Sequence, residues 1–412
     1  MLMCLFSRTD KQRTIEGDLF SAFVAAGAIS KANAADPKKS SFVRCARTDK
    51  GVHASGNIVS LKMIVEDSDI VEKINAHLGS QIRVWGIEVV SKSFSCYHMC
   101  DSRIYEFLIP SHCFIPPHHS TYLGKKLVEI AEKEGDIEGY NERQKEVAGF
   151  WEAVDEQYIK PILENTPEDI RKLVEKALYL GDGKRPDEND EDEKPTGDQQ
   201  PAEDEKLEAK QDPTNAEPLS EEDEARRRQV IETVKTIKAA YLKAKRAYRI
   251  PSVRLERIQA ALDQYVGTKN FFNYTIQKMN TDPSAKRYIK SFNLNQTPII
   301  INDTEWLSLK VHGQSFMMHQ IRKMIAMAAL VVRCGCDPQR IHDTYGSTKI
   351  AIPKAPGLGL LLERPIFDSY NKRAADMDKE AIDFSKYEEA ISEFKQREIY
   401  DRIFREEEET RA

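Results

Sequence analysis

Arg47-Thr48-Asp49-Lys50-Gly51-Val52-His53-Ala54 sets one carboxylate in a glycine-bearing turn between two strand-like runs. Before it, Ser41-Phe42-Val43-Arg44-Cys45 is short and rich in strand formers. After it, Asn57 to Met63 alternates, with Val59, Leu61 and Met63 facing one way and Ser60 and Lys62 the other. Polar loops between buried strands are where catalytic groups tend to be presented, so Asp49 is the residue to explain. A locally hydrogen-bonded loop is the competing reading. The same tetrapeptide at Arg8-Thr9-Asp10-Lys11 has no such context and reads as coincidence.

Working outward, Thr14 is placed to cap a helix in which Ile15, Leu19 and Phe23 recur at spacings of four, with Asp18 in the first turn. Helix, strand, turn and strand then follow in order. Gln81 to Val90 alternates as another strand, and Arg103 to Pro110 reads as a further one. Strands and helices interleave without long crossover spacing, which predicts an α+β sheet with helices on one side. From about 120 to 180 the pattern turns helical.

The 412 residues are 40% hydrophobic, enough to bury a core. The apolar run Met1 to Phe6 is far short of the roughly 20 residues a membrane span needs, so no membrane role is expected. Seven cysteines, an odd number without a secretory leader pattern, predict reduced thiols in a nuclear or cytosolic setting.

The net charge of −6 hides an asymmetry. Asp182 to Ala225 holds 18 acidic and 5 basic residues, a balance of −13, so the rest of the chain carries +7. A basic body suits salt-sensitive contact with phosphates. The acidic tract, rich in Pro, Glu and Asp, lacks the apolar surface to offset its ordering entropy and is predicted to be disordered. After it, Arg226-Arg227-Arg228, Lys235, Lys238, Lys243, Lys245, Arg246 and Arg249 interleave with Tyr241 and Tyr248 in a predicted helix ending before Pro251. That pattern fits phosphate tracking with base stacking, or equally a solvated basic helix. Tyr387 to Glu408 reads as an accessory helix with few apolar anchors.

The stretch around Asp49 resembles the signature of the TruA-type tRNA pseudouridine synthases. Similar pieces recur in the family's order: Ser102-Arg103-Ile104-Tyr105, Gly267 to Phe271, Gly313 to Met324 and Lys354 to Leu360. The third and fourth look like the eukaryotic, fungal-like nuclear branch. The resemblance implies the pseudouridine synthase fold, a mixed or antiparallel central sheet flanked by helices, in two RRM-like halves with the catalytic cleft between them. It implies N- and C-terminal halves of the catalytic domain at 1–120 and 229–375, a helical insertion with the acidic tract at 121–228, and a helical extension at 376–412. It also implies a leading strand with a Gly-Tyr-rich segment, which Met1 to Gln12 nearly lacks.

The implied activity is isomerisation of uridine to pseudouridine in tRNA, in the anticodon stem and anticodon region, with small nuclear RNA and mRNA as further partners. The protein is then expected to be nuclear and monomeric, with no cofactor required. The resemblance assigns the catalytic carboxylate to Asp49, the active-site arginine to Arg322 and the base-stacking tyrosine to Tyr105, with Arg103 beside it as a substrate contact.

Physical reasoning agrees with these assignments. Met318, Ile321, Ile325, Ala328 and Val332 form an apolar stripe that would carry Arg322 into the interior, where a guanidinium stays charged and can pair with a carboxylate. Arg47, two residues before Asp49, leaves an extended segment on the same face and is a candidate for the flanking phosphate or the flipped nucleotide. Leu360 and Leu362 are candidates for the floor of the uracil pocket, or simply core. His319 reads as a packed helix residue outside the chemistry.

Two alternatives stay open. A glycosidase-like enzyme would need a second carboxylate, and none stands in a matching motif. A catalytically impaired RNA-binding or RNA-folding protein of the same fold would keep the basic body. For metals, Cys96, His98 and Cys100 would share a strand face and permit a structural zinc, with His112, Cys113, His118, His119, Cys334 and Cys336 beyond; buried free thiols are the simpler explanation, since paired CxxC spacing is missing.

Overall fold

The computed structural model describes residues 14–49, 51–180 and 221–410. The Met1 to Phe6 run, the repeat at 8–11, the expected leading strand and the acidic tract up to 220 lie outside them.

The nine strands among the described residues are β1 (Val43–Arg44), β2 (His53–Ala54), β3 (Val59–Ser60), β4 (Ser102–Pro110), β5 (Gly267–Asn270), β6 (Lys286–Leu294), β7 (Ile299–Ile301), β8 (Thr304–Gly313) and β9 (Leu360–Ile366). Seven form a mixed sheet in the order β2-β9-β4-β8-β6-β5, with β7 also on β8, while β1 and β3 make a separate antiparallel ladder. β4 is central and antiparallel to both neighbours, placing Tyr105 opposite Val311 and Leu362. β2 joins β9 in parallel, His53 beside Leu361 and Ala54 beside Leu362. The α+β expectation holds.

Helices cover both faces, not the one side the interleaving pattern predicts, because the C-terminal run supplies a second layer. On one side Tyr105, Phe107 and Ile109 pack with Leu360 and Leu362 against Ile321, Met324, Ile325 and Ala328 of the helix Gln320–Arg333 and against Ile258 and Leu262 of the helix Ser252–Asp263. On the other, Leu108, Trp306 and Leu361 are covered by Phe394, Ile399, Tyr400, Ile403 and Phe404. The C-terminal run is therefore an integral layer of the fold, contrary to the expected accessory helix. Its anchors escape a 3.6-residue pattern because a π-helical stretch, Lys395–Tyr400, shifts the register between two α-helical pieces.

The N-terminal helix Ile15–Ala25 starts where Thr14 predicts, the Thr14 hydroxyl accepting from Gly17 N–H at 3.0 Å. It packs with the helix Ile70–Ala76 on Val59, Leu61 and Met63, the three residues the alternation puts on one face. Residues 81–90 differ from expectation. Ile82, Val84 and Ile87 do pack on that core, but the segment makes no ladder among the described residues; the Asn75 side chain instead bonds Val84 N–H and C=O, each at 2.8 Å. Alternation measured burial here, not strand pairing.

The insertion is helical: Tyr122–Lys133, Ile137–Gln144, Phe150–Val154, Lys160–Glu164 and Glu168–Leu180, packed on the long helix Glu221–Ala247 through Ile159, Ile170, Val174 and Ile237. That long helix already includes residues 221–225, so the end of the predicted disordered tract is ordered. Among the described residues no helix is long and apolar enough to cross a membrane.

Candidate active site

Asp49 lies in the loop between β1 and β2. Its carbonyl accepts from Val52 N–H at 3.0 Å, closing a turn that Gly51 permits by adopting φ +81°. Both ends of the loop are anchored. On the β1 side, Arg44 grips Glu16 of the first helical turn with two contacts, 2.8 and 2.9 Å, and Cys45 N–H bonds Ile58 C=O at 2.8 Å. On the β2 side, Ser55 N–H bonds Leu362 C=O at 2.9 Å, tying the loop exit to the main sheet. Arg47 is exposed, Thr48 buried and Asp49 half-buried, the alternation expected of an extended approach.

The described contact on the Asp49 carboxylate comes from His319, whose Nδ1 is 3.3 Å from Oδ2. The sequence reading placed His319 inside a helix, and this is the site residue it missed. The helix begins at Gln320, so His319 is the N-cap, with φ +63°, and its ring leaves the helix end toward the loop. Only the helix boundary, which falls directly before Gln320, distinguishes it from an interior helix residue.

Arg322 stands one turn further on the same helix face. It is half-buried rather than interior, and it clamps the loop leading to β9: its Nε donates to Ala355 C=O at 2.6 Å and its own C=O accepts from Ala355 N–H at 3.1 Å. Asp49 and Arg322 thus lie on the same flank of the molecule.

Tyr105 is 8% exposed, beneath the site, with its ring edge-on to Phe316 at 5.3 Å. The β4–β9 register shifts between Ile104 and Tyr105, where Glu363 of β9 is the extra residue, and Tyr105 keeps the face of Phe107 and Ile109. Burial pushes its phenol up to about 12, with Arg103 opposing and the Asp49 charge adding to the rise, so the ring is neutral and within electrostatic reach of Asp49. Arg103 donates to Cys45 C=O at 2.9 Å, holding the approach to the loop. Leu360 and Leu362 are buried on the Tyr105 face; Leu362 is the one opposite Tyr105, while Leu360 pairs with Phe107.

Positive charge gathers beside this region. Burial and the nearby Lys349 and Lys354 depress the Lys323 ammonium, while Lys349 and Lys354 are exposed. In contrast, Tyr241 and Tyr248 are no stacking platform: Tyr241 donates to Asp155 at 2.7 Å and Tyr248 is core.

The strand-face argument for Cys96, His98 and Cys100 fails, because residues 95–99 form a helical turn and Cys96 Sγ donates to Val43 C=O at 3.3 Å. Among the described residues, the donors close enough to share an ion are His118, His119 and Asp155. Their geometry has a simpler basis. His118 Nδ1 accepts from Ser120 N–H at 3.2 Å, so the ring proton sits on Nε2 and bonds Asp155 at 3.0 Å.

Comparison with known proteins agrees with this arrangement. A family profile described as tRNA pseudouridine synthase matches residues 261–368, from the helix before β5 to the end of β9. The chain is 44% identical over 397 residues to tRNA pseudouridine synthase 1 of Eremothecium gossypii, covering 96% of this chain and 66% of that protein. It is 42% identical to tRNA pseudouridine synthase 1 of Schizosaccharomyces pombe, covering 96% and 76%. It is 34% identical to the tRNA pseudouridine(27/28) synthase of Saccharomyces cerevisiae, covering 89% and 81%. The chain belongs to the tRNA pseudouridine synthase family. It spans just under two thirds of the length of the first of these relatives.

Proposed function

We propose that this chain isomerises specific uridines of tRNA to pseudouridine, with Asp49 as its catalytic carboxylate. The observation that carries the reading is the placement of Asp49: a half-exposed acid on an anchored loop, beside the helix start bearing His319 and Arg322 and over the sheet face bearing Tyr105.

The reaction breaks the N1–C1′ bond, turns the uracil and joins C5 to C1′. One carboxylate serves it, either as nucleophile at the sugar carbon or as the base removing a sugar proton, and no cofactor is called for. Tyr105 supplies a neutral, rigid surface for the base, and Leu362 extends that floor. Arg322 supplies positive charge next to the reacting acid, and Arg47 is exposed toward the incoming backbone. A stacked uridine cannot reach Asp49, so the nucleotide is extruded at a cost of a few kcal/mol, offset by backbone contacts from basic residues such as Lys349 and Lys354. RNA shape sets most of the selectivity.

The relatives' names support tRNA as substrate. Uridines of the anticodon stem and anticodon region, small nuclear RNA and mRNA as further substrates, a nuclear location and a monomeric state all belong to this proposal. Transfer RNA tritiated at uridine C5 tests it: isomerisation releases tritium and leaves the RNA chain intact, excision frees uracil, and binding alone releases nothing. Asp49→Ala should lose about 10⁴-fold or more in rate while still binding tRNA. Equal turnover by that variant eliminates the proposal.

A further inference from the structure

We infer that His319 is a positioning residue for Asp49, fixing which carboxylate oxygen meets the ribose. The inference rests on the reading of Asp49 as the catalytic acid. Its own basis is the geometry of residue 319. His319 Nδ1 approaches Oδ2 at 3.3 Å, and the imidazole, 18% exposed, lies deeper than the carboxylate, 37% exposed. The contact is close but lies outside hydrogen-bond geometry in this structure, and catalytic contacts of this kind often align and tighten only when substrate is bound.

The backbone at His319 adopts φ +63°, a region that residues other than glycine seldom use and that His, Asn and Asp tolerate best. The strain is held from both sides. Thr275 Oγ1 donates to Met318 C=O at 2.9 Å, Met317 N–H donates to Gln320 Oε1 at 2.9 Å, and Lys323 N–H donates to His319 C=O at 3.0 Å. A strained conformation that its surroundings over-determine points to use at the site. Here its effect is to turn the ring out of the helix end and onto Oδ2.

An unrestrained carboxylate rotates about Cβ–Cγ and exchanges its two oxygens. Once aligned in the substrate complex, a donor at Nδ1 fixes Oδ2 and presents the other oxygen to the reacting sugar, whichever of the two mechanisms operates. Nδ1–H is available in the neutral Nδ1 tautomer or in the imidazolium.

Three substitutions separate this role from backbone support, each read by single-turnover tritium release from C5-labelled tRNA, tRNA affinity and thermal midpoint. His319→Asn keeps both the left-handed backbone and a donor, and should stay near the parent rate. His319→Gly keeps the backbone and drops the donor; its rate should fall about 100-fold with affinity and midpoint retained. His319→Asp matches Asn in shape but sets a like charge against Asp49, and should fall at least as far. Should the glycine variant fold poorly, the Asn and Asp pair decides alone. Asn and Asp within about tenfold of each other overturn the inference, as does a folded glycine variant within about tenfold of the parent. An active Asp49→Ala protein overturns instead the reading beneath it.

Discussion

The Arg103 guanidinium reaches the carbonyl oxygen of Cys45 at 2.9 Å, so the central strand of the sheet holds the segment that carries Asp49 four residues later. This gives Arg103 a structural task alongside the substrate contact expected of it. It acts on the protein's own backbone, and its effect on the reaction passes through the loop.

Arg103→Met, which keeps the stem and removes the donor, should therefore lower the single-turnover rate about 10- to 100-fold at saturating tRNA. Stability should fall by about 1.5 to 3 kcal/mol, the usual worth of a bond to a charged group. Rapid-quench kinetics and urea denaturation read the two effects. A rise in KM with an unchanged rate would return Arg103 to substrate binding.

Acid sensitivity should trace to buried histidines. Burial, with Lys245, Arg246 and Arg333 close by, holds His112 down at about 4, and burial also lowers His53 and His118. A histidine depressed in the folded state is neutral there but takes a proton when unfolded. Its contribution is fully present above the unfolded pKa of about 6.5 and is lost as pH falls through the folded value. The thermal midpoint should drop between pH 7 and pH 4, and His112→Phe should flatten that decline. An unchanged slope in the variant would place the acid sensitivity elsewhere.

What the sequence reveals about this fold follows the range of the interactions. Thr14, the β4 run and the stripe on the helix Gln320–Arg333 are local patterns, and each appears where the residues place it except Met318, which lies before the helix and is exposed. Asp49 is legible because its loop has turn chemistry and strand flanks. Residues 81–90 mislead because alternation reports a half-buried face, whereas strand pairing depends on what lies alongside. Tyr241 and Tyr248 mislead because aromatic spacing on a basic helix does not say which face is buried. His319 was invisible as a site residue because its role depends on where a helix starts, and boundaries are the least certain part of any sequence reading.

Gly359 should tolerate no side chain. A Cβ there would come within 2.3 Å of the Leu108 carbonyl oxygen, and Gly359 C=O itself accepts from Leu108 N–H at 2.9 Å. Gly359→Ala must push β9 away from β4, disturbing Leu360 and Leu362 beneath Tyr105. Circular dichroism melts should show a loss of about 2 kcal/mol or more, in the range of overpacked sites. A melt equal to the parent's would mean the strand pair yields freely.

The C-terminal layer makes its own prediction through Glu106. This carboxylate is 2% exposed on the rear of the sheet, accepts from Tyr400 at 2.8 Å, and is paired with Lys395 and Ser308. Burial raises its pKa, but the Lys395 charge and these bonds outweigh it and leave it lowered. Lys395→Met should destabilise by about 3 to 5 kcal/mol, because it strands a buried charge. Adding Glu106→Gln should restore most of that, since the neutral amide no longer needs the ammonium. Failure of the double variant to recover would show that Lys395 acts mainly by packing.

The cluster of Lys323, Lys349 and Lys354 predicts how tRNA affinity responds to salt. Each exposed lysine that neutralises a phosphate releases counterions, so affinity falls as a power of salt concentration. Lys349 and Lys354 are the exposed members, while Lys323 is tethered, its Nζ donating to Asn273 C=O at 3.2 Å. Lys349→Gln should reduce the slope of log affinity against log salt by about one and weaken binding to different tRNAs alike. Once the RNA is saturating, its single-turnover rate should match the parent's, because the ammonium acts on the encounter and not on the sugar. Lys323→Gln should behave differently: removing a donor from the Asn273 and Thr275 carbonyls loosens the segment that holds Met318, and through it His319, so the rate at saturation should fall as well. Filter binding across a salt series, paired with single-turnover tritium release, separates the two variants. Identical behaviour of both would reduce this cluster to a uniform electrostatic surface.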